Sequence, residues 1–125
     1  MIGASDTSAL IAYLAGKSGP SVDAVAELAD NDALRLPPAV ITEMLSHPLQ
    51  GPISADFVAR SPVLPLYEGY WTRAGETRRK ILALGLRARL SDTLIAQACI
   101  DSDVPLVTLD NDFRHFAEYC GLKLA

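Results

Sequence analysis

The apolar pattern of the chain switches between two periods. Short apolar runs suited to strands lie at residues 1–5, Leu34-Arg35-Leu36, Val63-Leu64-Pro65-Leu66 and Val104 to Leu109. The last is the strongest strand signal, and Gly3, Ala4 and Ser5 dilute the first. Between them the spacing turns helical. Leu10, Ile11 and Leu14 share a face after Asp6, in a helix ended by Gly16 and Gly19-Pro20. Val22, Val25, Ala26 and Ala29 stripe a helix over Ser21 to Asp30.

Pro37-Pro38 opens a helix that runs to about Ser46, with Ala39, Val40, Glu43 and Met44 on one stripe. Gly51-Pro52 starts a short one to about Ala59. The longest helix covers about Glu68 to Leu84, with Tyr70, Ala74, Thr77, Ile81 and Leu84 on one side. Ser91 is a suitable N-cap for a helix to about Asp101, and Asp112 to Tyr119 forms the last, with Gly121 as its C-cap. Leu122 to Leu124 reads as an edge strand. Strands that alternate with helices in this way predict an α/β fold with a small parallel sheet and right-handed crossovers, in one domain over residues 1–125.

Acids stand at the breaks in this pattern. Asp6 and Asp110 each follow a predicted strand, Asp92 lies in the first turn of its helix, and Glu43 sits mid-helix among apolar neighbours. In an open parallel sheet, ligands bind at the carboxyl ends of the strands, within reach of all four. Each aspartate taken singly is explained by helix capping. Capping does not explain Glu43, nor why three caps should share one side of the sheet. Converging carboxylates repel unless a cation compensates them, and Mg²⁺ or Mn²⁺ prefers such oxygen ligands.

Charge changes the picture in one respect. The formal net charge is −4, which argues against a surface that grips nucleic acid everywhere. Yet Arg73, Arg78, Arg79, Lys80, Arg87 and Arg89 are concentrated in one stretch. Arg78, Arg79, Lys80 and Arg87, with Arg89, form a candidate track for a nucleic-acid backbone. The alternative is a solvated helix face. Cys99 and Cys120 lack CxxC spacing and suit a reducing, cytoplasmic setting. No signal peptide or membrane span is expected.

Other motifs carry less. Gly16-Lys17-Ser18 lacks the earlier glycine of a P-loop, because Ile11 stands in its place. His47 and His115 have no zinc spacing, and Ser8 has no evident His–Asp partners. Tyr67, Tyr70 and Trp71 are candidates for base stacking, or for a core or interface.

The segments Asp6-Thr7-Ser8-Ala9-Leu10-Ile11, Ile41-Thr42-Glu43-Met44-Leu45, Asp92-Thr93-Leu94-Ile95-Ala96 and Leu106 to Phe113 resemble, in order and approximate spacing, the PIN domain. Within it they look most like the VapC-type toxin ribonucleases. The resemblance covers essentially the whole chain and implies a three-layer α/β/α fold. It also implies Mg²⁺- or Mn²⁺-dependent cleavage of single-stranded RNA.

Carried over by position, Asp6, Glu43 and Asp92 match the main acids and Asp110 the more variable fourth, with Asp112 a nearby substitute. Thr7, Ser8 and Thr108 would support them by hydrogen bonds. The resemblance further implies a homodimer and a cognate antitoxin, and apolar residues of the early helices (Leu10, Leu14, Val22, Val25) are compatible with such an interface. The first strand is less apolar than the family's usual opening. A catalytically silent binding module and a metal-dependent DNA nuclease are the competing functions.

Overall fold

Helices cover both faces of a small parallel sheet in the computed structural model, which describes residues 1–48 and 51–125. The fold is α/β/α in three layers. Strands β1 (Gly3–Ser5), β2 (Leu34–Arg35) and β3 (Leu106–Val107) pair in the order β2-β1-β3. Gly3 lies opposite Leu34, and Ala4 opposite Leu106. The helices are α1 (Thr7–Leu14), α2 (Pro20–Asp30), α3 (Pro38–Ser46), α4 (Pro52–Arg60), α5 (Tyr70–Ala83), α6 (Leu90–Ser102) and α7 (Arg114–Cys120). A 3-10 turn, Asn111–Phe113, joins β3 to α7.

The centre of the sheet is made of small residues for a packing reason. Gly3, Ala4 and Ser5 are all buried. A Cβ added at Gly3 would lie 2.8 Å from Leu28 Cδ1, so the Leu28 side chain of α2 packs directly on the strand. The weak apolar signal of this strand therefore reflects close approach of a helix rather than exposure.

Helix α6 is buried along most of its length: Thr93, Ile95, Ala96, Gln97, Ala98 and Cys99 are all inside. It packs against α3, α5 and α7. Its one buried amide is bonded through both of its polar heavy atoms. Thr77 donates to Gln97 Oε1 at 2.5 Å, and Gln97 Nε2 donates to Asp101 Oδ1 at 2.8 Å. Arg73 closes the chain of contacts on Asp101 at 2.6 Å. These bonds fix the register of α5 against α6.

Several expectations are corrected. The run at 63–66 pairs through a single bridge, Leu36 to Val63, because Pro62 and Pro65 have no N–H to donate. Leu124 likewise makes one parallel bridge, to Leu106. Helix α6 starts one residue before Ser91, with Arg89 in the cap position, and the Ser91 hydroxyl is buried without a hydrogen-bond partner. Leu10 and Val25 lie in the core, so they present nothing to a partner. Tyr70 is also buried, donating its hydroxyl to the Leu94 carbonyl at 2.6 Å, whereas Trp71 is exposed. Both cysteines are free thiols. Among the described residues no helix is long and apolar enough to cross a membrane.

A candidate active site of converging carboxylates

Parallel pairing puts the ends of β1 and β3 side by side, and each strand runs straight into an acid-bearing turn. Asp6 follows β1 and caps α1, its Oδ1 accepting from Ala9 N at 2.9 Å. Two hydroxyls complete its shell. Ser8 Oγ lies 2.8 Å from Oδ2, and Thr108 donates to the same oxygen at 2.5 Å. Asp6 is only 3% exposed, and burial raises its pKa above the ordinary value, against the pull of these hydrogen bonds.

Thr108 ties the second strand to the first. While its hydroxyl donates to Asp6, its oxygen accepts from Asp110 N at 2.9 Å. Ser8 makes a parallel link by accepting from Leu109 N at 3.1 Å. Asp110 Oδ1 then accepts from Asp112 N at 2.9 Å, which closes the 3-10 turn. On the other flank Thr7 donates to Glu43 Oε1 at 2.6 Å, holding the mid-helix acid of α3 beside the start of α1. Thr7, Ser8 and Thr108 are thus each hydrogen-bonded to an acid.

The first turn of α6 brings Asp92 into this group. One carboxylate oxygen from each of Asp92, Asp110 and Asp112 lies within 4.8 Å of the others. Burial pushes the Asp92 pKa up to about 6, and the charges of Asp110, Glu43 and Asp112 push the same way while Arg89 opposes them. Asp92 Oδ2 is buried and has no hydrogen-bond partner.

An unpartnered buried carboxylate oxygen among other acids is costly in a protein. A hard divalent cation is the ligand that this donor set fits, because it consists of oxygens alone and carries excess negative charge. The tight trio contains Asp112 together with Asp110, so the two belong to one group. Asp6 and Glu43 are not among these three but interact with them through their charges, Asp6 bonded by two hydroxyls and Glu43 by one.

The PIN domain family profile matches residues 5–119. The chain belongs to the PIN domain family. The PIN fold is also that of two solved toxin–antitoxin structures. In VapBC2 from Rickettsia felis, bound to a DNA fragment from its promoter, the matching chain has a TM-score of 0.77 and 20% identity. That match covers 100% of this chain and 98% of the other. In VapBC-5 from Mycobacterium tuberculosis the TM-score is 0.72 at 19% identity, covering 98% and 96%. No curated protein matches in sequence.

The basic stretch is less available than its sequence suggests for this PIN domain. Arg78 Nε donates to the Ala88 carbonyl at 2.8 Å, and Lys80 Nζ to the Tyr119 carbonyl at 2.7 Å. Arg79 is exposed, and Arg87 reaches Asp112 at 3.6 Å. The effect of Arg89 on Asp92 and the contact of Arg87 with Asp112 were missed by sequence reasoning. The only signal for them was two arginines just ahead of an acid at a helix start.

Proposed function

We propose that residues 1–125 act as one metal-dependent endoribonuclease domain that cleaves single-stranded RNA, as the toxin of a type II toxin–antitoxin pair. The observation that carries this reading is the Asp92, Asp110 and Asp112 trio with its unpartnered buried oxygen. Membership of the PIN domain family supports nuclease chemistry, and the likeness to chains of two VapBC structures supports the toxin role. On this reading the protein is cytoplasmic, forms a homodimer and pairs with an antitoxin.

Asp92, Asp110 and Asp112 would hold Mg²⁺ or Mn²⁺, with Asp6 and Glu43 completing the acidic surround. When bound, such an ion offsets the charge developing on the scissile phosphate and makes a water molecule more acidic. The residues of the chain do the rest. Thr108 and Ser8 fix Asp6 and the Asp110 turn relative to each other, so the carboxylates need little reorganisation. Glu43, with Oε1 held by Thr7, offers its second oxygen as acceptor for the proton of an attacking water. Hydrolysis of this kind leaves a 5′-phosphate and a 3′-hydroxyl.

The test is incubation of the purified protein with single-stranded RNA and with DNA of the same sequence, in Mg²⁺, in Mn²⁺ or in EDTA. Cleavage of RNA only, abolished by EDTA and by Asp92→Asn, is the expected result. Cutting of DNA would reassign the substrate. Products ending in 2′,3′-cyclic phosphate would refute the water-attack scheme. No cleavage by a folded, metal-binding protein would leave a silent binding module.

A further inference from the structure

The link between α5 and α6 is tied down at both ends. Gly85 turns with a φ of +75°, and the N–H groups of Gly85 and Leu86 donate back to the carbonyls of Leu82 and Ile81. At the far end Ala88 is buried, and its carbonyl accepts from Arg78 Nε at 2.8 Å. The pinned residue is flanked by Arg87 and Arg89, and both guanidinium charges act on the acidic cluster. Arg87 Nη1 lies 3.6 Å from Asp112 Oδ2, while Arg89 favours the charged form of Asp92.

The Arg87 contact is built to be given up. At 3.6 Å it is an attraction between charges without a hydrogen bond. The Arg87 side chain is 61% exposed and that of Asp112 is 31% exposed, so water competes with the pair. Asp112 is also one of the three acids whose oxygens approach within 4.8 Å, so a divalent ion held there would compete with the guanidinium for the same carboxylate. A displaced guanidinium stays nearby, because Arg78 holds the neighbouring peptide. Its planar fork of donors matches two phosphate oxygens.

Resting on the nuclease reading above, we propose that Arg87 is an internal counter-cation that competes with the metal for Asp112 and, once displaced, binds a phosphate of the RNA backbone. Metal and RNA are then coupled through one side chain. The ion releases the arginine that the RNA needs, and by reciprocity RNA that engages Arg87 tightens the ion.

One substitution should act with opposite signs on the two ligands. In calorimetric titration of the metal-free protein, Arg87→Ala should bind Mn²⁺ about two- to fivefold more tightly than wild type, the range expected for removal of an exposed ion pair. The same variant, in Mn²⁺, should bind a single-stranded RNA with non-hydrolysable linkages about fivefold more weakly. Its slope of log affinity against log salt should fall by about 0.7, as expected when one phosphate fewer is neutralised by the protein. Arg87→Lys should keep the wild-type Mn²⁺ affinity, because the charge remains, yet lose part of the RNA affinity with the fork.

Mn²⁺ binding by wild type that Asp92→Asn abolishes and Arg87→Ala leaves unchanged would overturn the proposal alone. An unaltered salt slope in Arg87→Ala would also overturn it. No Mn²⁺ binding by wild type would instead remove the nuclease reading, and the role of Arg87 with it.

Discussion

Replacing Asp92 with Asn should make the metal-free protein more stable while destroying its metal site. Asp92 has a pKa raised from 3.8 to about 6, by burial first and then by Asp110, Glu43 and Asp112. The folded state therefore holds a proton that the unfolded chain has already released. Between those two values the native protein binds more protons, so stability falls as pH rises through the window and levels off above about 6. A shift of this size converts to a ceiling of about 3 kcal/mol. Asp92 is only half-buried, and solvent screening reduces the figure to roughly 1 kcal/mol at neutral pH.

The asparagine carries no charge, and its amide can donate to the neighbouring carboxylates. In EDTA, Asp92→Asn should gain roughly 1 kcal/mol, or about 2–5 °C in Tm. Urea unfolding of both proteins across pH measures it. The difference between them cancels every group that they share. It should be near zero below pH 3.8 and reach its plateau above about pH 6. With Mn²⁺ added the order should invert, because only the wild type gains ligand stabilisation. A variant less stable than wild type in EDTA at neutral pH, or a difference curve flat across the window, would refute the idea that burial and neighbouring acids disfavour the charged form of Asp92.

Two further substitutions separate structure from chemistry. Thr108→Val removes both the donation to Asp6 and the acceptor for Asp110 N, and should cost about 2 kcal/mol in urea unfolding together with a fall in cleavage rate. Thr108→Ser should restore both, and full activity in the valine variant would dispose of the bridging role. Tyr70→Phe loses one hydrogen bond to Leu94, so about 1 kcal/mol of stability should go with no change in RNA binding. Weaker RNA binding at unchanged stability would return Tyr70 to the surface as a stacking residue.

The placement of the acids was legible because burial and charge conflict visibly in a sequence. An aspartate directly after an apolar run, as at Asp6 and Asp110, or a glutamate on an apolar stripe, as at Glu43, signals compensation whatever the fold. The trio's composition was harder to read. Asp112 follows Asp110 by two residues, and only the 3-10 turn closed by the Asp110 side chain brings the two together.

The start of α6 was misjudged because Ser91 has the chemistry of a cap. The backbone at Arg89 is extended instead, with φ −63° and ψ 147°, after a peptide that Arg78 holds from another helix. That is a tertiary cause with no local trace. The same applies to the basic stretch. Cationic spacing on α5 suggested a nucleic-acid track, while Arg78 and Lys80 spend hydrogen bonds on backbone carbonyls distant in sequence. Gly3 shows the converse, where a residue that weakened the strand signal leaves room for the Leu28 side chain of the helix above it.

The buried setting of α6 has a mechanical consequence. Asp92 rides on a helix enclosed by three others, whereas Asp110 and Asp112 stand at the start of one short turn, and Asn111 between them is exposed. The site thus joins an acid carried by a buried helix to acids carried by an exposed turn that Thr108 and Ser8 brace. Amide hydrogens along α6 should exchange with solvent far more slowly than those of Asn111 and Asp112. Occupation of the site by a divalent ion should therefore slow exchange at this turn while leaving α6 nearly unchanged.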